Sequence, residues 1–387
     1  MAELKVLLVS PEVTPLAKTG GLADVCGSLP LHLRNMDCDI RVFLPGHRSV
    51  QKIASRAKVL GNVEVVICGL PVRGTIRSAR LEKSVTAYFV ENDTFFDREY
   101  LYGTPAGDYP DNLQRFTFFA RSAFELCSLL RFWPHVFHCH DWQSGLIPIY
   151  LRTMFADHPE LKSAASVLTV HNLAYQGLFP INLYPLLDIP EEWCGVNGLE
   201  FWGKLNFLKG ALYAVDAINT VSEKHSQEIQ TREFGCGLEG VLRDRSGDLF
   251  GILNGVDYTE WDPRTDRYIA AHYNVENLEG KLRCKRDLLE SFGLPEELMN
   301  RPVVGMITRL ADQKGLDLVA ACIDEMLALE IGFVLLGTGD QKYLEMFQQI
   351  GAQYAEKAGI RLDFDNEMAH KIEAGSDIFL MPSRYEP

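Results

Sequence analysis

Two short basic segments of the chain contain residues that could bind an anionic ligand. In PLAKTGGLAD, Lys18 stands beside Gly20 and Gly21, between an apolar run and a helix-like run. Glycine has no side chain, so backbone N–H groups could approach a phosphate closely there. In ITRLADQKG, Arg309 and Lys314 lie in a loop that opens a helix, where both cations could neutralise a diphosphate. Each segment alone is also compatible with solvated loop cations, but two of them at matching points of two domains favour binding.

The segment HCHDWQSG has features of a metal site, because His138 and His140 alternate onto one face of a strand. Zinc takes four ligands, or three and a water, and no second pair of ligands lies nearby in the sequence. We therefore predict no metal. Asp141 at the strand end is a better candidate for binding a sugar hydroxyl or for moving a proton, although it could also cap the following helix. His171 ends the strand-like VLTVH and is a further candidate, with a hydrogen-bonded core histidine as the alternative.

Several enzyme classes lose support because their motifs are absent. Gly337-Thr338-Gly339 lacks the third glycine of a dinucleotide fingerprint. The chain contains no G-x-x-x-x-G-K-[ST], no G-x-S-x-G and no H-E-x-x-H. Dehydrogenase, P-loop kinase, α/β-hydrolase and zincin functions are therefore disfavoured.

The composition indicates a soluble, unexported protein of two domains. The 387 residues are about twice the usual domain size, and the net charge of −14 argues against nucleic acid or anionic lipid as the main partner. Nine scattered cysteines without a C-x-x-C pair are typical of a reduced, cytoplasmic protein. The most apolar segment, FTFFARSAFELCSLLRFW, is interrupted by Arg121, Glu125 and Arg131, so no membrane span is predicted. No basic leader with an apolar run precedes the first strand.

Alternating strand-like and helix-like runs predict parallel sheets covered by helices on both faces. Two doubly wound modules are expected, with a boundary near Asn254 to Trp261, a polar stretch from Asp257 to Arg286, and β-hairpins between Lys58 and Glu91 (VEVVICGLPV and SVTAYFVEN). In such sheets ligands bind beyond the carboxyl ends of the strands, where the candidate residues lie. The predicted strands are Leu4 to Ser10, Asp39 to Pro45, 135–140, 166–171, 217–222, 248–256, 302–310, 332–340, 360–365 and 377–383; the predicted helices are Gly21 to Asn35, Asn112 to Leu130, Ser144 to Phe155, Gly203 to Val215, Gly315 to Leu329, Gln341 to Lys357 and Glu367 to Ala374.

Seven motifs, taken in order and spacing, resemble the bacterial glycogen synthase and plant starch synthase family over essentially the whole chain. They are KTGGLADV, HCHDWQSGLIP, TVHNLAYQG, GLEFWGKLNFLKGALYAVDAINTVS, GILNGVD, TRLADQKGLDL and MPSRYEP. The resemblance implies a GT-B fold, with two Rossmann-like domains, 1–256 on the acceptor side and 257–387 for the nucleotide sugar, facing each other across a cleft. It implies transfer of glucose from ADP-glucose to the non-reducing end of an α-1,4-glucan (glycogen or starch), with retention and without a cofactor or required metal. The location would be the cytoplasm, or the plastid stroma if the source is a plant.

The resemblance also implies roles for the candidate residues. Lys18, Gly20 and Gly21 would contact the phosphate and glucose of the donor, with Asp24 supporting the loop. Arg309 and Lys314 would hold the diphosphate and stabilise the departing ADP. His171 would lie beside the transferred glucose, with Asn172 and Asn254 as further polar contacts. Asp141 would face the acceptor side, and Glu386 would bind the glucose hydroxyls.

The chain departs from the family where it stops, at Pro387. In the family the glutamate segment continues into a Cys-Gly-rich turn and further elements, so we expect a second domain that is incomplete and an activity that is affected. Three alternatives to an ADP-glucose enzyme remain at this stage. They are a GT-B transferase that uses UDP-glucose, one with a sucrose-type acceptor system, and a non-catalytic glucan-binding or regulatory protein.

Overall fold

The computed structural model describes residues 3–81, 85–104 and 107–387. The chain divides into two compact units, Met1–Gly255 and Val256–Glu386, which are described separately below. Among the helices of the described ranges, none combines the length and the apolar character that a bilayer crossing requires.

The first unit alternates strands and helices, with short 3-10 turns between some of them. Its strands are β1 (Leu4–Val9), β2 (Cys38–Pro45), β3 (Lys58–Ile67), β4 (Leu70–Arg80), β5 (Thr86–Glu91), β6 (Gly103–Thr104), β7 (Gly107–Asp108), β8 (Val136–His140), β9 (Ala165–Val170), β10 (Leu178–Pro180), β11 (Glu200–Phe201), β12 (Lys204–Asn206), β13 (Ala217–Thr220) and β14 (Leu249–Gly251). Its helices are α1 (Gly21–Arg34), α2 (Arg48–Ile53), α3 (Asp93–Phe96), α4 (Asn112–Leu130), α5 (Leu146–Arg152), α6 (Phe207–Ala214), α7 (Glu223–Glu228) and α8 (Glu239–Asp244).

Nine strands of the first unit form one sheet in the order β14-β13-β9-β8-β1-β2-β5-β4-β3. Pairing is parallel from β14 to β5, and β4 and β3 then extend the edge in antiparallel fashion. The predicted hairpins are therefore present, at one edge of the parallel sheet. The segment predicted from Ser84 begins outside the described residues, and its described part forms β5.

Strand β1 lies in the middle of this sheet because both of its faces are apolar. Leu7 and Val9 belong to one buried cluster, whereas Val6 and Leu8 belong to another. A continuous apolar run is typical of a strand that is covered on both faces. Helix α4, whose bounds agree with the prediction, packs on the first of these clusters, with Phe119 stacked on Phe43 at 5.1 Å between ring centroids.

The largest differences from the prediction in the first unit are in three elements that are shorter than expected. The helix expected from Gly203 begins only at Phe207, because residues 204–206 form β12 and the side chain of Asn206 accepts the N–H of Lys209 at 2.9 Å as an N-cap. The helix expected from Ser144 begins at Leu146, after a 3-10 turn over Trp142–Ser144. The strand expected over 248–256 is reduced to β14.

The second unit contains one parallel sheet in the order β17-β16-β15-β18, which gives the four strands that the sequence predicts. These strands also end earlier than predicted. They are β15 (Val303–Ile307), β16 (Gly332–Leu336), β17 (Ala358–Arg361) and β18 (Ile378–Phe379), and the helices are α9 (Glu279–Phe292), α10 (Leu316–Ala328), α11 (Gln341–Gln353) and α12 (Asn366–Gly375).

Helix α9 corrects the prediction of a polar stretch that reaches Arg286. The helix was not expected because its first half, EGKLRCKR, contains few apolar residues. Its buried face nevertheless contains Cys284, Leu288 and Leu289. Lys285 is buried on the same helix, since its ammonium donates to the carbonyl of Arg301 at 2.6 Å and to the carboxylate of Asp377 at 2.7 Å.

Replacing Phe119 with alanine should destabilise the first unit strongly. The side chain is fully buried, and a cavity of this kind costs about 3–5 kcal/mol. Urea unfolding followed by circular dichroism would measure the loss. Met36→Ala, at a site that is 73% exposed, should change the free energy of unfolding by less than about 0.5 kcal/mol. Equal effects of the two substitutions would contradict the packing described here.

Candidate active site

Strands β1, β8 and β9 are parallel neighbours, so the residues that follow them lie at one edge of the sheet. This edge brings two of the predicted catalytic residues into contact. The carboxylate of Asp141 accepts a hydrogen bond from the backbone N–H of His171 at 2.7 Å. The ring of His171 is held from the other side, because its Nε2 lies 2.9 Å from Nδ1 of His140.

Asp141 is buried and has a strained backbone. Its φ of 54° and ψ of −176° are dihedrals that residues other than glycine rarely adopt, at a cost on the order of 1–3 kcal/mol. Its side chain makes no cap hydrogen bond to the turn over residues 142–144, so the alternative N-cap role is not observed. Burial raises the pKa of Asp141 to about 7, although the hydrogen bond from His171 acts in the opposite direction.

The three histidines at this edge are neutral at pH 7 because each is buried. Burial lowers the pKa of His138 to about 4 and that of His171 to about 3, and it holds the pKa of His140 well below its ordinary value. His138 Nε2 lies 2.7 Å from the hydroxyl of Thr169, which itself donates to Asn219 at 2.6 Å. Nε2 of His138 therefore carries the proton, and His138 serves as a hydrogen-bonded residue within the sheet.

The sequence reasoning did not associate Cys26 with the histidines. In the described residues Cys26, His140 and His171 form a buried group whose candidate ligand atoms lie within 4.8 Å of one another. These side chains have the chemistry of zinc ligands. Nδ1 of His140 and Nε2 of His171 already bond to each other, however, and a metal would have to break that contact. Burial raises the pKa of the Cys26 thiol, which disfavours the thiolate that a metal needs.

The loop before α1 places Lys18 next to Asp24. The Lys18 ammonium lies 2.7 Å from a carboxylate oxygen of Asp24, which also accepts the hydroxyl of Thr14 at 3.1 Å. Gly20 and Gly21 are exposed, and a Cβ added at either position would meet no atom within 4 Å. The protein's own packing therefore does not require glycine there, and open space adjoins the first turn of α1.

The side chains that hold this loop from inside were missed by the sequence reasoning. Glu12 is buried, and its carboxylate accepts the backbone N–H of Thr19 at 2.5 Å, the hydroxyl of Thr19 at 2.6 Å and the hydroxyl of Tyr102 at 2.6 Å. Burial raises the pKa of Glu12, while these hydrogen bonds lower it. A glutamate directly after an apolar strand was the available signal, but Tyr102 is 90 positions away along the chain.

In the second unit, two of the predicted residues pair with each other. The ammonium of Lys314 lies 2.5 Å from a carboxylate oxygen of Glu386. The segment that precedes Glu386 lies along the same loop, since the N–H of Arg384 donates to the carbonyl of Gln313 at 2.9 Å. Gly315 has a positive φ of 64°, and a Cβ there would lie 2.1 Å from the carbonyl oxygen of Pro382. Glycine is required at this crossing because the two backbones approach so closely.

The remaining predicted residues lie at loop positions. Arg309 lies two residues after the end of β15, at the carboxyl edge of the second sheet. Asn172 follows His171, and its side-chain oxygen accepts the N–H of Ala174 at 3.0 Å. Asn254 is exposed, and its N–H donates to the carbonyl of Val221 at 3.3 Å.

Both units are doubly wound α/β folds with a lysine-carboxylate pair at the loops beyond their strands, Lys18 with Asp24 and Lys314 with Glu386. Neutral imidazole, a buried carboxyl and lysines at such an edge suit a ligand that carries both phosphate and hydroxyl groups. A nucleotide sugar, the donor that many glycosyltransferases use, is a ligand of this kind.

Comparison with known proteins identifies the family. Residues 5–244 match the family model described as the starch synthase catalytic domain. A glycogen synthase of Koribacter versatilis is 46% identical over 99% of this chain and 78% of its own length, and glycogen synthase 2 of Geobacter sulfurreducens is 47% identical over 99% and 79%. A solved structure, the catalytic domain of starch synthase IV from Arabidopsis thaliana bound to ADP and acarbose, superposes with a TM-score of 0.92 at 31% identity, covering 100% of this chain and 79% of that one.

The chain belongs to the glycogen synthase and starch synthase family. It is a glycosyltransferase with a nucleotide-sugar donor and a glucan acceptor. The predicted family, the α/β fold of the GT-B class and the enzyme class are thereby confirmed, and a non-catalytic role is not favoured.

Asp141→Asn should stabilise the protein at high pH and not at low pH. The pKa of Asp141 in the folded state, about 7, lies above the ordinary value of 3.8 for an aspartate. The folded state therefore holds the proton more tightly, and its stability falls as the pH rises from about 4 to about 7. The amide carries no charge and avoids this penalty. We expect the variant to gain roughly 2–4 kcal/mol over the wild type at pH 8, since each pKa unit corresponds to about 1.4 kcal/mol.

Urea unfolding of both proteins at several pH values would measure this difference. Asp157→Asn, at an exposed site of the same unit, serves as the matched control and should follow the wild type at every pH. A stability gain of Asp141→Asn that is the same at pH 4 and pH 8 would show that the carboxyl is not the titrating group.

Proposed function

We propose that the protein transfers glucose from ADP-glucose to the non-reducing end of an α-1,4-glucan, with retention of configuration, as a glycogen synthase of the cytoplasm. The observation that carries this proposal is the close similarity over the whole chain to a starch synthase described with ADP and acarbose. The family-typical lysines of both units lie at the strand-end loops where a donor would bind. The nine free cysteines fit a reducing compartment.

Lys18, Gly20 and Gly21 would contact the phosphate and glucose of the donor. The Lys18 ammonium pairs with Asp24, a carboxylate that is 43% exposed on its side chain. A phosphate can therefore replace that carboxylate as the partner of Lys18. Asp24 keeps the lysine close to its working position until the donor arrives, which is the supporting role that we assign to it.

Arg309 and Lys314 would stabilise the departing ADP. The leaving diphosphate gains negative charge as the glycosidic bond to it breaks, and fixed cations lower the free energy of that state most. The pairing of Lys314 with Glu386 would change when the donor binds, and the released carboxylate could then accept the glucose hydroxyls. These cations would supply the charge that a metal ion supplies in other transferases.

His171, Asn172 and Asn254 would be polar contacts of the transferred glucose, and Asp141 would lie on the acceptor side. Because its pKa is about 3, His171 offers a neutral hydrogen-bonding ring and does not compete with the lysines for phosphate. Asp141, with a pKa of about 7, can exchange a proton near neutral pH, as a group that assists the acceptor hydroxyl must do.

The donor assignment is tested by incorporation of label into glycogen. Purified protein is given labelled ADP-glucose or labelled UDP-glucose, and we expect glucan labelling from ADP-glucose. Labelling from UDP-glucose alone would favour the alternative donor, and labelling from neither would refute the proposed reaction.

Lys18→Ala should weaken use of the donor far more than binding of the glucan. Loss of one charge-assisted contact to phosphate costs about 1.5–3 kcal/mol, which corresponds to a decrease of about 10- to 150-fold in kcat/KM for ADP-glucose. Affinity electrophoresis in glycogen measures glucan binding separately and should not change. Lys204→Ala, at an exposed lysine of the same unit, is the matched control. Equal losses of donor use and glucan binding would remove Lys18 from the phosphate role.

Transfer should persist when divalent metals are removed. The proposed charge stabilisation depends on Arg309 and Lys314, so dialysis against EDTA should leave the rate within about twofold of the untreated protein. A loss of activity that is restored by one added metal ion would contradict this assignment and would direct attention to Cys26, His140 and His171.

A further inference from the structure

Glu12 occupies a place where a carboxylate is at first unexpected. It is 4% exposed and lies directly behind the loop whose lysine and glycines are the proposed phosphate site. A negative charge there opposes the binding of a phosphate unless its charge is already engaged by donors. The structure shows such engagement. Thr19 provides two donors, its N–H and its hydroxyl, and Tyr102 provides one.

Tyr102 is itself fixed to the core of the first unit. Its carbonyl accepts the side-chain amide of Asn112 at 2.8 Å and the N–H of Tyr109 at 3.0 Å. The side-chain oxygen of Asn112 accepts a hydrogen bond from the guanidinium of Arg115 at 2.6 Å, and Arg115 is fully buried. A continuous series of hydrogen bonds therefore runs from helix α4 through Tyr102 and Glu12 to Thr19.

The arrangement fixes a loop that the rest of the protein covers poorly. Thr19, Gly20 and Gly21 are exposed, and no packed side chain would meet a Cβ at either glycine. Glycine has the largest backbone freedom to lose on ordering, so such a loop needs specific bonds to stay in one conformation. The hydrogen bonds that the backbone N–H and the hydroxyl of Thr19 donate to Glu12 provide them.

We propose that Glu12 and Tyr102 are positioning residues that hold the Lys18–Gly21 loop in its donor-binding conformation. This inference rests on the proposed function of the loop. The carboxylate of Glu12 uses the N–H of Thr19, and the N–H of Ala23 donates to the carbonyl of Gly20 at 3.2 Å. The N–H groups of Gly21 and Leu22 would therefore remain for a phosphate, because the first turn of a helix leaves such groups without a carbonyl partner.

Tyr102→Phe is the principal test, because it removes one hydroxyl and keeps the ring. Without the hydroxyl of Tyr102, the carboxylate of Glu12 loses one hydrogen bond and is held less firmly. We therefore expect the KM for ADP-glucose to rise about tenfold, the effect of one hydrogen bond to a charged group. The KM for glycogen should stay within about twofold, since the loop is assigned to the donor alone. Tyr100→Phe, at an exposed position two residues away in the same segment, is the matched control and should behave as wild type.

Glu12→Gln is the second variant, because its amide nitrogen cannot accept the bonds that the carboxylate oxygen accepts. It should give the same donor-specific change as Tyr102→Phe. If Glu12→Gln does not fold, Tyr102→Phe decides the question alone. The proposal would be overturned if Tyr102→Phe had the same KM for ADP-glucose as the wild type. It would also be overturned if the KM values for ADP-glucose and for glycogen rose equally.

Hydrogen exchange of the ligand-free protein separates this inference from the proposed reaction. The amides of residues 16–22 should exchange at least about tenfold faster in Tyr102→Phe than in the wild type, whichever nucleotide sugar the enzyme uses. Unchanged exchange would refute the positioning role even if ADP-glucose is the donor. Faster exchange in a protein that does not use ADP-glucose would refute only the proposed donor.

Discussion

A carboxylate that is buried at the edge of an apolar sheet must be surrounded by hydrogen-bond donors, and this requirement shapes the first unit. Glu12 and Asp141 both lie directly after or near the ends of central strands, where water is largely excluded. Each obtains donors from backbone N–H groups of a neighbouring loop. The hydrogen bonds that satisfy these two buried carboxylates therefore also hold the loops that contain Lys18 and His171.

The basic groups near the strand ends of the two units differ in how far they are enclosed by protein. His171 is enclosed by protein and stays neutral, because charging it would cost desolvation. Lys18 and Lys314 are about one-fifth exposed and remain near a carboxylate. Each unit therefore has a lysine-carboxylate pair in a loop beyond its strands, and in the first unit an uncharged ring lies deeper at the sheet edge.

The sequence was sufficient where a periodic pattern extended over a whole element. Strand β1 and helix α4 could be placed because one is apolar on both faces and the other places phenylalanines at helical spacing. Helix α9 could not, because its charged first half hides a narrow apolar face. Likewise, β12 lies in a segment whose composition equally suits the start of a helix, and only pairing with β10 and β11 decides its conformation.

For the candidate site, local motifs identified residues at the strand ends but not their supports. His171 and Asp141 could be predicted to lie together because neighbouring parallel strands end at one edge. Tyr102 could not be associated with Glu12, because their contact depends on where the backbone at Tyr102 lies against helix α4. Cys26 was similarly hidden, since a cysteine among apolar residues gives no sign of the two histidines that it meets.

The ion pair between Lys314 and Glu386 has a consequence for which molecules can bind. A simple anion that takes the lysine gains one partner and leaves the glutamate without its own, so the exchange is close to balanced. A molecule that also carries hydroxyl groups can donate new hydrogen bonds to the carboxylate of the glutamate. The same reasoning applies to Lys18 and Asp24. With the donor-binding roles proposed above, the carboxylates would therefore favour a compound in which phosphate and sugar are joined over free phosphate.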